Sequence, residues 1–228
     1  MFGGAMKSLI KSGTRDLKAK FSSSGEEDDF ATPLGLRIGA VVDIDTLPLR
    51  MHAADLHVAL PEQTLLIAAQ GYVELGDATY AHRYYTADNT MIQVLTVAGM
   101  EDHHVQEMTL YVPFKSYYPD GDGGWAQWTG KGGKLGAATF HLDDGTEFRR
   151  IWFETTAGYA DPVEFTESVY DDPESDDHSN VFHRVMLFGR NLDIGKKNEY
   201  LLVSVESYEG QETVELMVGV DLEFSTLR

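Results

Sequence analysis

The sequence predicts a mainly β fold, a β-rich α+β chain with antiparallel sheets forming a sandwich or a partly open barrel behind one N-terminal helix. Three observations carry this. Runs of β-branched and aromatic residues recur at strand length. Turn residues such as Asp143-Asp144-Gly145 sit between such runs. The clear amphipathic stretch is confined to the first twenty-one residues.

Residues 5–21 open the chain as a basic helix. Met6, Ile10, Leu17 and Phe21 recur at helical spacing with Leu9 beside them, while Lys7, Lys11 and Lys18 fall largely off that stripe. Gly13 lies on the stripe and weakens the helix by about 1 kcal/mol relative to alanine. Ser22-Ser23-Ser24-Gly25 and Glu26-Glu27-Asp28-Asp29 then read as a flexible acidic linker. The expected organisation is therefore a basic amphipathic helix over 1–21, a linker over 22–31 and a β-rich body over 32–228.

Within the body, Met91–Val97, Val105–Val112 and Val163–Tyr170 have strand composition bounded by turns. Thr139–Leu142 and Thr146–Phe153 form one expected hairpin. Tyr200–Tyr208 and Thr213–Phe224 form another around a longer loop, Glu209-Gly210-Gln211-Glu212. Leu65–Gln70 and Phe182–Phe188 are short apolar runs that fit a strand or a helical turn. Tyr117–Lys134, rich in glycine, and the acidic stretch 171–180 are expected surface loops. Leu75-Gly76-Asp77-Ala78-Thr79-Tyr80 resembles Leu135-Gly136-Ala137-Ala138-Thr139-Phe140, so two similar β units are one option.

Composition excludes several chemistries. The absence of cysteine removes disulfides, thiolate metal sites and a cysteine nucleophile. No apolar run reaches the roughly 18 residues of a membrane span. The chain carries 37 acidic against 18 basic residues, a net charge of −19. Lys7, Lys11, Arg15, Lys18 and Lys20 oppose Asp16 alone over residues 1–21, a net of +4 that leaves −23 for the rest. The acidic body disfavours nucleic acid. The leading peptide suits an anionic membrane surface, docking on the protein's own acidic domain or a protein partner, or a disordered tail. Met6, Lys7, Ile10, Lys11, Leu17, Lys18 and Phe21 are the expected contact residues.

No catalytic motif stands out. Asp120-Gly121-Asp122-Gly123 resembles the start of a calcium loop, but Lys131 stands near where the closing Glu belongs, so a flexible turn is expected. None of the eight histidines falls in a metal-protease spacing, and only His178 and His183 sit among many carboxylates. No catalytic, cofactor-binding or metal-ligating residue is assigned, and no cofactor is expected. In His82-Arg83-Tyr84-Tyr85 and Arg149-Arg150-Ile151-Trp152, alternate residues share a strand face. Their aromatics are expected in the core and their arginines on local acids.

Gly71 with Leu75-Gly76-Asp77, Arg83-Tyr84-Tyr85, Arg150 with Trp152, Pro162-Val163-x-Phe165-x-Glu167-x-Val169-Tyr170, and Leu216-x-Val218-Gly219-x-Asp221-Leu222 together resemble the YjfK-like family of bacterial proteins of unknown function. The resemblance spans residues 65–224. It transfers no functional residue. It implies a cytoplasmic accessory role, peripheral to the inner membrane, beside membrane-stress proteins. The leading expectation is a non-enzymatic adaptor. The alternative is a small-molecule- or metal-dependent enzyme, or a ligand-binding module, with a site assembled by folding.

Overall fold

The computed structural model describes residues 32–192 and 197–224. The leading helix, the linker and the seven contact residues expected there lie outside the described residues.

Eleven strands form one antiparallel sheet among the described residues. They are β1 (Val41–Asp43), β2 (Thr64–Gly76), β3 (Thr79–Thr86), β4 (Met91–Val97), β5 (Val105–Tyr117), β6 (Thr139–His141), β7 (Glu147–Arg150), β8 (Val163–Tyr170), β9 (Ser179–Asn191), β10 (Asn198–Tyr208) and β11 (Gln211–Asp221). Eight of them close on themselves in the order β2-β3-β4-β5-β11-β10-β9-β8. Closure comes from β8, which pairs with β9 along its length and with β2 through Ser168–Tyr170 against Tyr72–Gln70. The architecture is thus a closed barrel, neither sandwich nor partly open. A closed ring leaves no unpaired edge within it. The remaining strands are additions: β1 extends from β2, and the β6–β7 hairpin hangs from β9.

Two tight hairpins follow from turn chemistry. Gly145 takes φ 87° in the β6–β7 turn. Tyr208 pairs directly with Gln211, so β10 and β11 join through Glu209-Gly210 alone, both at positive φ (48° and 79°), the geometry that matches strand twist. The expected longer loop is therefore a two-residue turn.

Strand alternation sorts residues into two shells. Val73, Ala81, Leu95, Tyr111, Phe165, Leu187 and Leu202, drawn from seven of the eight barrel strands, line one small internal void together with Trp152, which fixes this set as the inward face. The alternate set faces outward yet is also buried: Leu201, Val203, Val205, Val214, Val218 and Phe188 are almost wholly covered. Part of the cover is an aromatic chain in which Phe140 lies 5.6 Å from Phe188 and 6.2 Å from Trp128 between ring centroids. Trp128 comes from α2 (Gly121–Thr129), the second of two short α-helices after α1 (Leu47–Arg50). The expected glycine-rich loop is therefore helical over its central part. Burial of Trp128 against Tyr117 and Phe140 outweighs the helix cost of Gly123 and Gly124.

Residues 32–63 cross the outside of the barrel and are pinned by Glu199. Its Oε1 accepts the backbone amides of His57 (2.5 Å) and Val58 (2.9 Å). Its Oε2 accepts Arg190 Nε at 2.7 Å. The two resembling hexapeptides adopt different structures. The first spans the β2–β3 hairpin turn, whereas the second is a 3-10 turn at Lys134–Gly136 leading into β6. Their geometry does not support two similar units.

Candidate functional site

One mouth of the barrel opens into a cavity of about 650 Å³. Its rim comes from the β3–β4 turn, the end of β5 and the segment after β8, represented by Asn89, Tyr118 and Asp171. The size falls in the range typical of small-molecule pockets.

The floor is a buried polar cluster centred on Glu167, on the inward face of β8. Arg83 Nη1 donates to Glu167 Oε2 at 2.6 Å, and the Tyr85 hydroxyl donates to Oε1 at 2.7 Å. Arg83 and Tyr85 share the inward face of β3, two strands from β8, with β2 between. The contact across β2 is open because residue 71 is glycine: a Cβ there would lie 1.7 Å from Glu167 Oε1. Arg83 Nε also donates to Gln93 Oε1 at 3.1 Å, and its guanidinium stands 5.1 Å from the Phe165 ring centroid. Burial alone would raise the Glu167 carboxyl. Arg83 beside it, then the adjacent His183 ring and last the Tyr85 hydrogen bond outweigh that effect and hold it at about 2.

His183, on β9, extends the cluster toward solvent. Its Nδ1 lies 3.0 Å from Ser204 Oγ on β10. Its Nε2 lies 3.0 Å from Glu167 Oε2 but off the line a hydrogen bond needs. Phe165 stacks on the ring at 5.1 Å. Glu206, one inward position beyond Ser204 on β10, comes within 3.6 Å of His183 Nδ1 and accepts no hydrogen bond among the described residues. Burial pushes its carboxyl up. His183 opposes the rise, while Glu167 and Glu215 reinforce it.

The order Ser204, His183, Glu167 matches a nucleophile, base and acid, but its geometry does not suit acyl transfer. Ser204 sits mid-strand, paired to Val185 on one side and Glu215 on the other. Its amide is committed to the sheet, so no backbone N–H beside Oγ is left to stabilise an oxyanion. The Glu167 carboxylate is already held by Arg83 and Tyr85 and does not align with the imidazole.

Of the features singled out in the sequence, His183, Arg83 and Tyr85 enter this site, together with Gly71 and Glu167 of the family-like pattern. His178 lies exposed on the 171–180 segment, 5.0 Å from the Tyr170 ring. That acidic segment is the expected surface loop. Asp120-Gly121-Asp122-Gly123 leads into α2 and forms neither a calcium loop nor an isolated turn. Arg83 pairs with an acid 84 residues away rather than a local one. Among the described residues, Arg150 pairs with no acid. Its Nη1 donates to the carbonyls of Gly136 (2.7 Å) and Gly158 (2.8 Å), and its Nη2 to those of Phe153 and Thr156. It thereby organises the chain around Trp152, which is core as expected. A separate group, Glu101, His103 and His104, brings three donor atoms within 4.8 Å in a short turn before β5 and could hold a cation, although Glu101 and His103 are exposed.

The family model described as protein of unknown function (DUF2491) matches residues 15–228. The chain belongs to that family. It is also 25% identical over 201 residues to the uncharacterized protein YjfK of Escherichia coli strain K12, covering 86% of this chain and 89% of that one. No solved structure matches. The family-like positions acquire physical roles here. Gly71 makes room for Glu167, and Gly219 faces the Tyr111 ring, where a Cβ would lie 2.4 Å away. Arg83 and Glu167 form the buried ion pair, and Val163–Tyr170 is the strand that closes the barrel. Among the described residues, no helix is long and apolar enough to cross a membrane.

Proposed function

We propose that this protein is a small-molecule-binding barrel whose ligand enters the open mouth and is oriented by Tyr85, His183, Ser204 and Glu206. The observation that carries this reading is the convergence of those side chains, from three different strands, on one cavity with apolar walls. The arrangement favours binding over chemistry, because the amide of Ser204 is committed to the sheet between Val185 and Glu215. A neutral fluorophore such as Nile red tests it. The wild-type protein should bind the dye with a blue-shifted emission, and Ala69→Trp, which fills the mouth from β2, should abolish that binding. Dye binding unchanged in Ala69→Trp would overturn the proposal.

The charge split favours a second, compatible reading, in which residues 1–21 attach the barrel to an anionic membrane surface or an acidic protein partner. Co-sedimentation with anionic liposomes should fall on deletion of residues 1–21 and at high salt. Equal, salt-insensitive sedimentation of both forms would refute it.

A further inference from the structure

We infer that the ligand of the barrel mouth is a cation, an amine carried on an apolar body, and that Glu206 is its counter-ion. The inference rests on the proposed binding role of the mouth and names the ligand class.

The charges facing the cavity do not balance. Glu167, Glu206, Glu215 and Asp171 oppose Arg83 and the imidazole of His183. The excess is three negative charges with the imidazole neutral and two with it protonated. These groups are not equivalent. Glu167 is matched by Arg83 at 2.6 Å. Glu215 accepts the hydroxyl of Ser116. Asp171 sits on the exposed rim. Glu206 alone is both half-buried and without a hydrogen-bond donor among the described residues, with His183 Nδ1 3.6 Å away. Ionised Glu206 suffers burial together with the repulsion of Glu167 and Glu215, which His183 and Arg83 offset only in part. An ammonium donating to its carboxylate relieves both. An anionic ligand would meet the same excess with the wrong sign, and the guanidinium it would need is already engaged by Glu167 and Gln93. The walls set the rest of the ligand. Met91, Leu202 and Met217 present apolar surface beside the carboxylates, suited to an aliphatic or aromatic body rather than a hydrated metal ion.

Three probes with one aromatic body and different head groups test this: phenethylamine, phenethyl alcohol and hydrocinnamate, each titrated to displace Nile red. The amine should bind at least about tenfold more tightly than the alcohol, the worth of one charge-assisted hydrogen bond, and hydrocinnamate most weakly. Glu206→Gln should bring the amine down to the affinity that the alcohol has for the same variant. Equal displacement by all three would overturn the cation inference while the binding role of the mouth stands. Tightest binding by hydrocinnamate would overturn it in favour of an anion held at Arg83 or His183. Displacement by none would also overturn it, and the Ala69→Trp result with the dye alone would then decide the binding role separately. The wild-type comparison of head groups holds whether or not Glu206→Gln folds.

Discussion

Gly71→Ala is the smallest change that should break the buried cluster, and its cost can be worked from the structure. The added methyl carbon would stand 1.7 Å from Glu167 Oε1 and 2.7 Å from Cδ. The carboxylate must retreat by roughly 2 Å to reach van der Waals separation. Its hydrogen bonds to Arg83 (2.6 Å) and Tyr85 (2.7 Å) cannot stretch that far. Arg83 is then left buried without its partner, which costs about 3–5 kcal/mol. Alanine returns some 0.4–1 kcal/mol by restricting the unfolded chain. The net loss is about 3 kcal/mol, equivalent to roughly 6–12 °C in Tm for a chain of this size. Urea denaturation followed by circular dichroism should show it as a lower midpoint at unchanged slope. The decisive control is the same substitution in a Glu167→Ala background. There the methyl group meets no carboxylate, so it should cost no more than about 0.5 kcal/mol. If Gly71→Ala costs under about 1 kcal/mol in the parent protein, or costs the same in both backgrounds, the proposed role of this glycine is refuted.

Two further predictions concern charge. The folded Glu167 carboxyl titrates at about 2, below its ordinary unfolded value, so its stabilisation is fully present above about pH 5 and is lost as pH falls toward 2; Glu167→Gln should flatten that part of a stability-versus-pH curve measured by urea midpoints. Glu206 has the opposite sign, because its carboxyl is raised on folding. Glu206→Gln should leave stability unchanged at acid pH and increase it at neutral pH, and a loss at neutral pH would contradict the claim that burial and its like-charged neighbours outweigh His183 and Arg83. Glu199→Ala should cost about 3 kcal/mol, the usual loss on breaking a buried ion pair, and should free the segment pinned at His57 and Val58 by removing the oxygen that accepts both amides. Limited trypsin digestion should then cut after Arg50 faster than in the parent.

Local structure was legible where local chemistry decides it. Met91–Val97 and Val163–Tyr170 match the predicted strand boundaries residue for residue, because β-branched runs between turn residues have few alternatives. The Asp144-Gly145 turn was equally readable. Tyr117–Lys134 was not. Its glycines suggest a loop, but Trp125 and Trp128 stand one helical turn apart, and a place for Trp128 to pack stabilises the helix. The cluster at the mouth left almost no local signal. Arg83, Glu167, His183, Ser204 and Glu206 lie on β3, β8, β9 and β10, and the strand pairings bring them together. Gly71 and Glu167 were visible only as separate parts of a family-like pattern, with nothing in sequence to show that one makes space for the other.

By itself, then, the order of amino acids determined a β-rich body, most of its strands, a strongly acidic charge and the lack of any cysteine chemistry. These follow from side-chain alternation, turn preference and composition, which act over a few residues or over the whole chain. Closure of the barrel by β8, the inward or outward sense of each alternating face, and the meeting of one guanidinium with several carboxylates at one mouth were decided only by the tertiary structure. Each depends on which distant strands become neighbours, and no short-range property of the chain encodes that choice.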